Sequence, residues 1–282
     1  MSELKVKNSA FKRIEDDRDY KWSNVGSAIE PFDWEKGYDV EEELGFKIPV
    51  KNQGQSKSCG GQAFAYYAQV LEYFMTGTFE ERSAKFLYSQ VALPGGGSRG
   101  RDICKILKSQ GCAREAFCPS YYTDGTPLSE TDMIDASTIN NIIRNDAKSS
   151  QALDYAYLDK LSIDSVAQAA KANKGCVMGM SGENNGTWMS EFPKPPSIAE
   201  WGHWVYVGKA GIVNGKKTIK FLNEWGLGCG NLGWQCVTED YFNNIASGYI
   251  SIWEVWTMLL NQSDEKNNLL KTLLLTLLKN KK

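Results

Sequence analysis

Residues 52–74 read NQGQSKSCGGQAFAYYAQVLEYF, and they raise one question: why a cysteine should open a helix-like pattern with two glycines directly behind it. Phe64, Tyr67, Ala68, Leu71, Phe74 and Met75 recur at i, i+3, i+4, i+7, i+10 and i+11, one apolar stripe at the period of an amphipathic helix. Gly77 is the expected stop and Ser58 the expected N-cap, which sets Cys59 in the first turn. Gly60 and Gly61 would each cost about 1 kcal/mol relative to alanine in a helix interior. Something other than helix stability selects them. A first turn offers unpaired N–H groups and the positive end of the helix dipole, and both favour a thiolate. The alternative is a buried small residue, a common fate for free cysteine.

The 282-residue chain balances 32 Lys and Arg against 34 Asp and Glu, with 42% apolar residues. That length suits one large domain or two halves sharing a core. The net charge of −2 leaves no electrostatic footprint for nucleic acid. The opening MSELKVKNSAFKRIEDDRDYKW is too polar for a secretory signal. Nowhere do eighteen apolar residues run consecutively. The expectation is a soluble chain, cytoplasmic by default. Gly95, Gly97 and Gly100 formally satisfy G-x-G-x-x-G. Pro94 precedes them, the helix-like AKFLYSQ lies ahead, and no βαβ alternation follows, so a dinucleotide site is not expected.

There is one histidine, His203, in EWGHWVYVGKAG, 144 residues after Cys59 and 20 before Asn223 in KFLNEWG. Alone, a histidine among tryptophans reads as a packed side chain. A first-turn cysteine, a histidine 130–150 residues on and an asparagine beyond it is the order of papain-type nucleophilic catalysis. VKNQGQSKSCGGQAF, WGHWVYVGK, FLNEWG and GNLGWQC, taken together, resemble the papain-like cysteine peptidases, from about Pro31 and Trp34 to Trp256.

That resemblance implies an α+β fold, with a helical half facing a β-barrel half and the cleft between them. It implies Cys59 as nucleophile, His203 as base and acid, Asn223 as the group that orients the ring, and Gln53 as an oxyanion donor. Gly96, Gly97, Trp201 and Trp225 are the implied substrate-binding residues, with Trp225 also shielding the His203–Asn223 bond. The implied activity is hydrolysis of polypeptides by an endopeptidase, through a thioester and with no cofactor. An exopeptidase of the same fold and a catalytically silent binding protein are the alternatives. Cys59 and His203 are expected to rest as a thiolate–imidazolium pair. Ser56, Lys57 and Gly60 depart from the family pattern, and no inhibitory prosegment of the usual length fits before Pro31.

The remaining cysteines, Cys104, Cys112, Cys118, Cys176, Cys229 and Cys236, form no C-x-x-C. With a single histidine, no metal site is expected. Without an export signal, reduced thiols are expected. Helices are expected at GRDICKILKSQG and DSVAQAAKANKG, and strands at CVMGMSG, HWVYVGKAGIV, KKTIKFLNE and GYISIWEVWTM. Residues 1–30 read as an N-terminal extension, 31–256 as the peptidase domain and 257–282 as a linker with a Leu-rich tail. In that tail Leu269, Leu270, Leu273, Leu274, Leu277 and Leu278 share one helical side. It is too short to span a bilayer. Docking on its own domain, self-association and membrane-surface contact are the readings it allows.

Overall fold

The computed structural model describes residues 9–17, 19–25, 30–152, 154–246 and 248–259. The Leu-rich tail lies outside them. The chain enters through β1 (Ala10–Phe11), β2 (Tyr20–Lys21) and the single turn α1 (Trp22–Val25), and β3 (Tyr38–Asp39) leads into α2 (Val40–Leu44). The helical half follows: α3 (Cys59–Thr76), α4 (Ala84–Tyr88), a short strand β4 (Ser98–Arg99), α5 (Gly100–Ser109), α6 (Glu130–Ile134) and α7 (Asn141–Ala147). Then come β5 (Asp154–Tyr157), α8 (Ile163–Ala172), β6 (Cys176–Gly182), β7 (Trp201–Val213), β8 (Lys216–Leu222) and β9 (Trp234–Thr238). α9 (Glu239–Phe242), β10 (Ile245–Ala246), β11 (Tyr249–Ile250) and β12 (Ile252–Leu259) complete the described chain. No described helix is long and apolar enough to cross a membrane.

The expected α+β organisation holds, with one correction. The main sheet runs β2-β5-β12-β6-β7-β8-β9 and does not close, so the β half is an open sheet rather than a barrel. Alternation identifies strands but says nothing about closure. β7 is longer than β6, which pairs only with Trp201–Val207. The edge left beyond is covered by β3, against Lys209 and Ala210. β7 and β8 are joined through Asn214 and Gly215, both at positive φ, the conformation that a two-residue hairpin turn demands.

α3 corrects a second expectation. Its spacing fits an amphipathic helix, yet every residue from Cys59 to Glu72 is buried, and only the last turns emerge. A helix covered all round is a core helix. It packs on β7, α4 and α5, and Gly77 ends it in a left-handed conformation as expected. Arg82 anchors its far end, donating from Nε to Glu72 at 2.7 Å and from Nη1 to the Cys112 carbonyl at 2.7 Å.

Candidate active site

Packing explains the two glycines. A Cβ on Gly60 would lie 2.3 Å from Ser98 Oγ and 2.8 Å from Ile103 Cδ1. On Gly61 it would lie 2.6 Å from the Ala84 carbonyl oxygen and 2.8 Å from Tyr88 Cβ. No side chain fits either contact without movement. Ser58 stands at the N-cap but makes no capping bond. Its hydroxyl meets Ser56 Oγ at 2.7 Å instead, and Ser56 also donates to the Gln53 carbonyl at 2.7 Å. The departures at Ser56 and Gly60 are therefore structural parts of this loop and helix start.

The strand side places a histidine opposite. His203 is fully buried on β7, paired in register with Met180. β8 ends at Leu222 opposite Tyr206, and Asn223 follows. A one-residue slip in that register would turn the asparagine away. Asn223 Oδ1 lies 3.0 Å from His203 Nε2.

A chain of amides determines which atom of each group faces which. Gln235 on β9 sends Nε2 to two carbonyl oxygens, Trp188 at 2.7 Å and Ser190 at 2.7 Å. Its Oε1 must then be the atom that accepts from Asn223 Nδ2 at 2.6 Å. Asn223 Oδ1 is left facing His203 and also accepts from the Glu224 backbone N–H at 2.8 Å. Since that oxygen can only accept, His203 Nε2 carries hydrogen. Nδ1, buried and without a partner among the described residues, is the ring nitrogen free to exchange a proton. Trp225 covers the ring, with centroids 4.7 Å apart.

Cys59, His203 and Glu224 each bring one donor atom to within 4.8 Å of the others. Among the described residues this is the one group of three spaced to hold a metal ion. Gln53 joins the site through its backbone N–H, which donates to the Glu224 carbonyl at 2.8 Å. Its side-chain Nε2 donates to Ser56 O at 3.0 Å, leaving that nitrogen a second hydrogen. Gly97 lies where the N-terminal segment comes closest, since a Cβ there would sit 2.7 Å from Ser9 O. Gly96 instead faces Lys57 and Glu130. Trp201 lines a cavity of about 810 Å³ with Ala10, Phe11, Gly202, Ile252 and Trp253. Trp188 was not legible in advance: no periodicity or motif marks it, yet it packs 4.5 Å from Trp201 and 5.8 Å from Trp225.

Ser9 was also missed. β1 pairs in parallel with β4, Ser9 N donates to Gly202 O at 3.2 Å and Ser98 N to Ser9 O at 3.1 Å. Ser9 Oγ thereby sits 3.1 Å from Cys59 Sγ. The segment is tied down beyond the site by Arg101, 2.5 Å from Asp16 and 2.6 Å from Asp19, and by Arg13, 3.0 Å from Asp19. Both Cys59 and His203 are fully buried. Burial pushes the Cys59 thiol up to about 12, with Glu224 adding to it, and pushes His203 down to about 4. This covered geometry favours a neutral thiol and imidazole over the expected ion pair, because desolvation outweighs the helix terminus. All seven cysteines are free and buried.

No family model matches the chain, and no curated protein does. Solved structures do match. Xylellain, a cysteine protease from Xylella fastidiosa, is 20% identical with a TM-score of 0.69, over 92% of this chain and 99% of that one. Digestive procathepsin L 3 of Tenebrio molitor larval midgut is 16% identical with a TM-score of 0.64, over 86% and 75%. Bromelain protease from Ananas comosus, in complex with the E64 inhibitor, is 19% identical with a TM-score of 0.59, over 80% and 99%. The fold is that of the papain-like cysteine proteases.

Proposed function

We propose that this chain is a cysteine endopeptidase that hydrolyses peptide bonds through Cys59, His203 and Asn223. The observation that carries this reading is the amide relay. It holds His203 with Nε2 protonated and Nδ1 free, beside the only cysteine at the start of a buried helix in contact with β7. Nδ1 takes the Cys59 proton, and the sulfur attacks the peptide carbonyl carbon. The oxyanion takes hydrogen bonds from the Cys59 N–H and the second Gln53 amide hydrogen. Nδ1–H then protonates the leaving amine, and water deprotonated by Nδ1 hydrolyses the thioester.

The path of residues 9–11 supports polypeptide as substrate, because the cleft already accepts extended backbone through ordinary strand hydrogen bonds. The same segment blocks the sulfur. Turnover requires β1 to leave β4, and deletion of residues 1–12, which retains the Arg13 and Arg101 anchors, is expected to raise it.

The experiment is digestion of an end-blocked peptide library read by mass spectrometry. Internal cleavage is expected with the wild type and the deletion. Cys59→Ala is expected to lower it by on the order of 10⁶-fold, and Gln53→Ala to lower kcat by about 10²–10³-fold. Equal cleavage by Cys59→Ala would defeat the mechanism, and cleavage confined to unblocked ends would defeat the endopeptidase mode.

A further inference from the structure

Glu224 has no part in the reaction just derived. It follows Asn223 directly, is fully buried, and has Oε1 3.1 Å from His203 Nε2. Neither carboxyl oxygen has a hydrogen-bond partner of good angle among the described residues. An isolated carboxyl group is costly to bury unless it is paired or neutral.

A neutral carboxyl would need an acceptor for its O–H. The amide relay removes two candidates. His203 Nε2 already bears hydrogen, and Asn223 Oδ1 already receives two donors. The near carboxyl oxygen, 3.1 Å from a ring nitrogen that bears hydrogen, is placed to face positive charge on the ring. The titratable groups facing Glu224 are His203 on β7, Cys59 and Tyr66 on α3, Tyr121, and Cys229 beyond Asn223. Its one ion-pair partner among the described residues is His203.

We propose that Glu224 is a positioning residue whose carboxylate holds positive charge on His203 and so sets the pH range in which Cys59 and the ring exchange a proton. Its functional meaning rests on the peptidase reading; its test does not. A negative charge within 4.8 Å of both partners raises the proton affinity of each. Both limbs of the pH profile then lie at higher pH than the cysteine and histidine alone would give. Burial opposes charge on all three groups, and the carboxylate is a counter-charge to the ring that does not depend on ionisation of Cys59.

The chain contains one histidine, so its ring resonances can be followed by NMR without assignment. The comparison is Cys59→Ala against Cys59→Ala with Glu224→Gln, from about pH 4 to 10. Losing the carboxylate is expected to lower the ring's proton affinity about tenfold or more, one pH unit, while Glu224→Asp retains most of it. Coincident curves would overturn the proposal. Should Glu224→Gln not fold, as judged by circular dichroism, the smaller neutral Glu224→Ser provides the same comparison. Turnover plays no part in this measurement, so an inactive chain would refute the peptidase reading and leave the role of Glu224 to be decided separately.

Discussion

The two walls of the site are held by different forces. The helix wall positions Cys59 by close approach: Gly60 and Gly61 let α3 settle against Ser98, Ile103 and Ala84 with no room for one more carbon. The strand wall positions His203 by direction, through hydrogen bonds that run from backbone carbonyls to Gln235, to Asn223 and to the ring. Packing fixes where an atom is and is indifferent to protons. A relay of amides fixes which atom carries hydrogen. In the proposed mechanism the nucleophile needs the first and the base needs the second.

That contrast can be broken from either side. The larger effect is expected at Gln235→Leu. It keeps the volume but frees Asn223 to rotate, and kcat should fall about 10²-fold with KM little changed. Steady-state kinetics checks it, and NMR of the single histidine should register a changed tautomer. An unaltered tautomer would mean that the relay does not control the ring. The smaller effect is expected at Gly61→Ala. Overpacking against the Ala84 carbonyl should destabilise the fold by about 1–3 kcal/mol, less the gain in helix propensity of about 1 kcal/mol. Thermal unfolding should show a drop of a few degrees, with kcat per folded molecule unchanged. A fall in kcat as large as that of Gln235→Leu would erase the distinction between the walls.

What could be read in advance follows the same division. His203 stood out as the chain's single histidine, and Cys59 and Asn223 stood out only by their order and spacing relative to it. The helix and strands around them were legible from period. Ser9 was not, because it reaches Cys59 from 50 residues away and nothing local distinguishes it from other serines of a polar segment. Glu224 carries no local mark in FLNEWG, and its full burial follows from tertiary packing that sequence pattern does not show. Gln235 was hidden for a related reason. Its role depends on pairing between β8 and β9, a register that alternation alone does not assign.

The N-terminal segment that closes over the sulfur has a consequence for the lifetime of the protein. Oxidation of cysteine to sulfenic acid and beyond follows thiolate character and exposure, and the covered Cys59 has neither, with its thiol pushed up to about 12 and out of reach of solvent. Peroxide at neutral pH is therefore expected to react slowly at this position while β1 pairs with β4. In the proposed mechanism the chain is stored without being spent, and its ageing begins only when it starts to work.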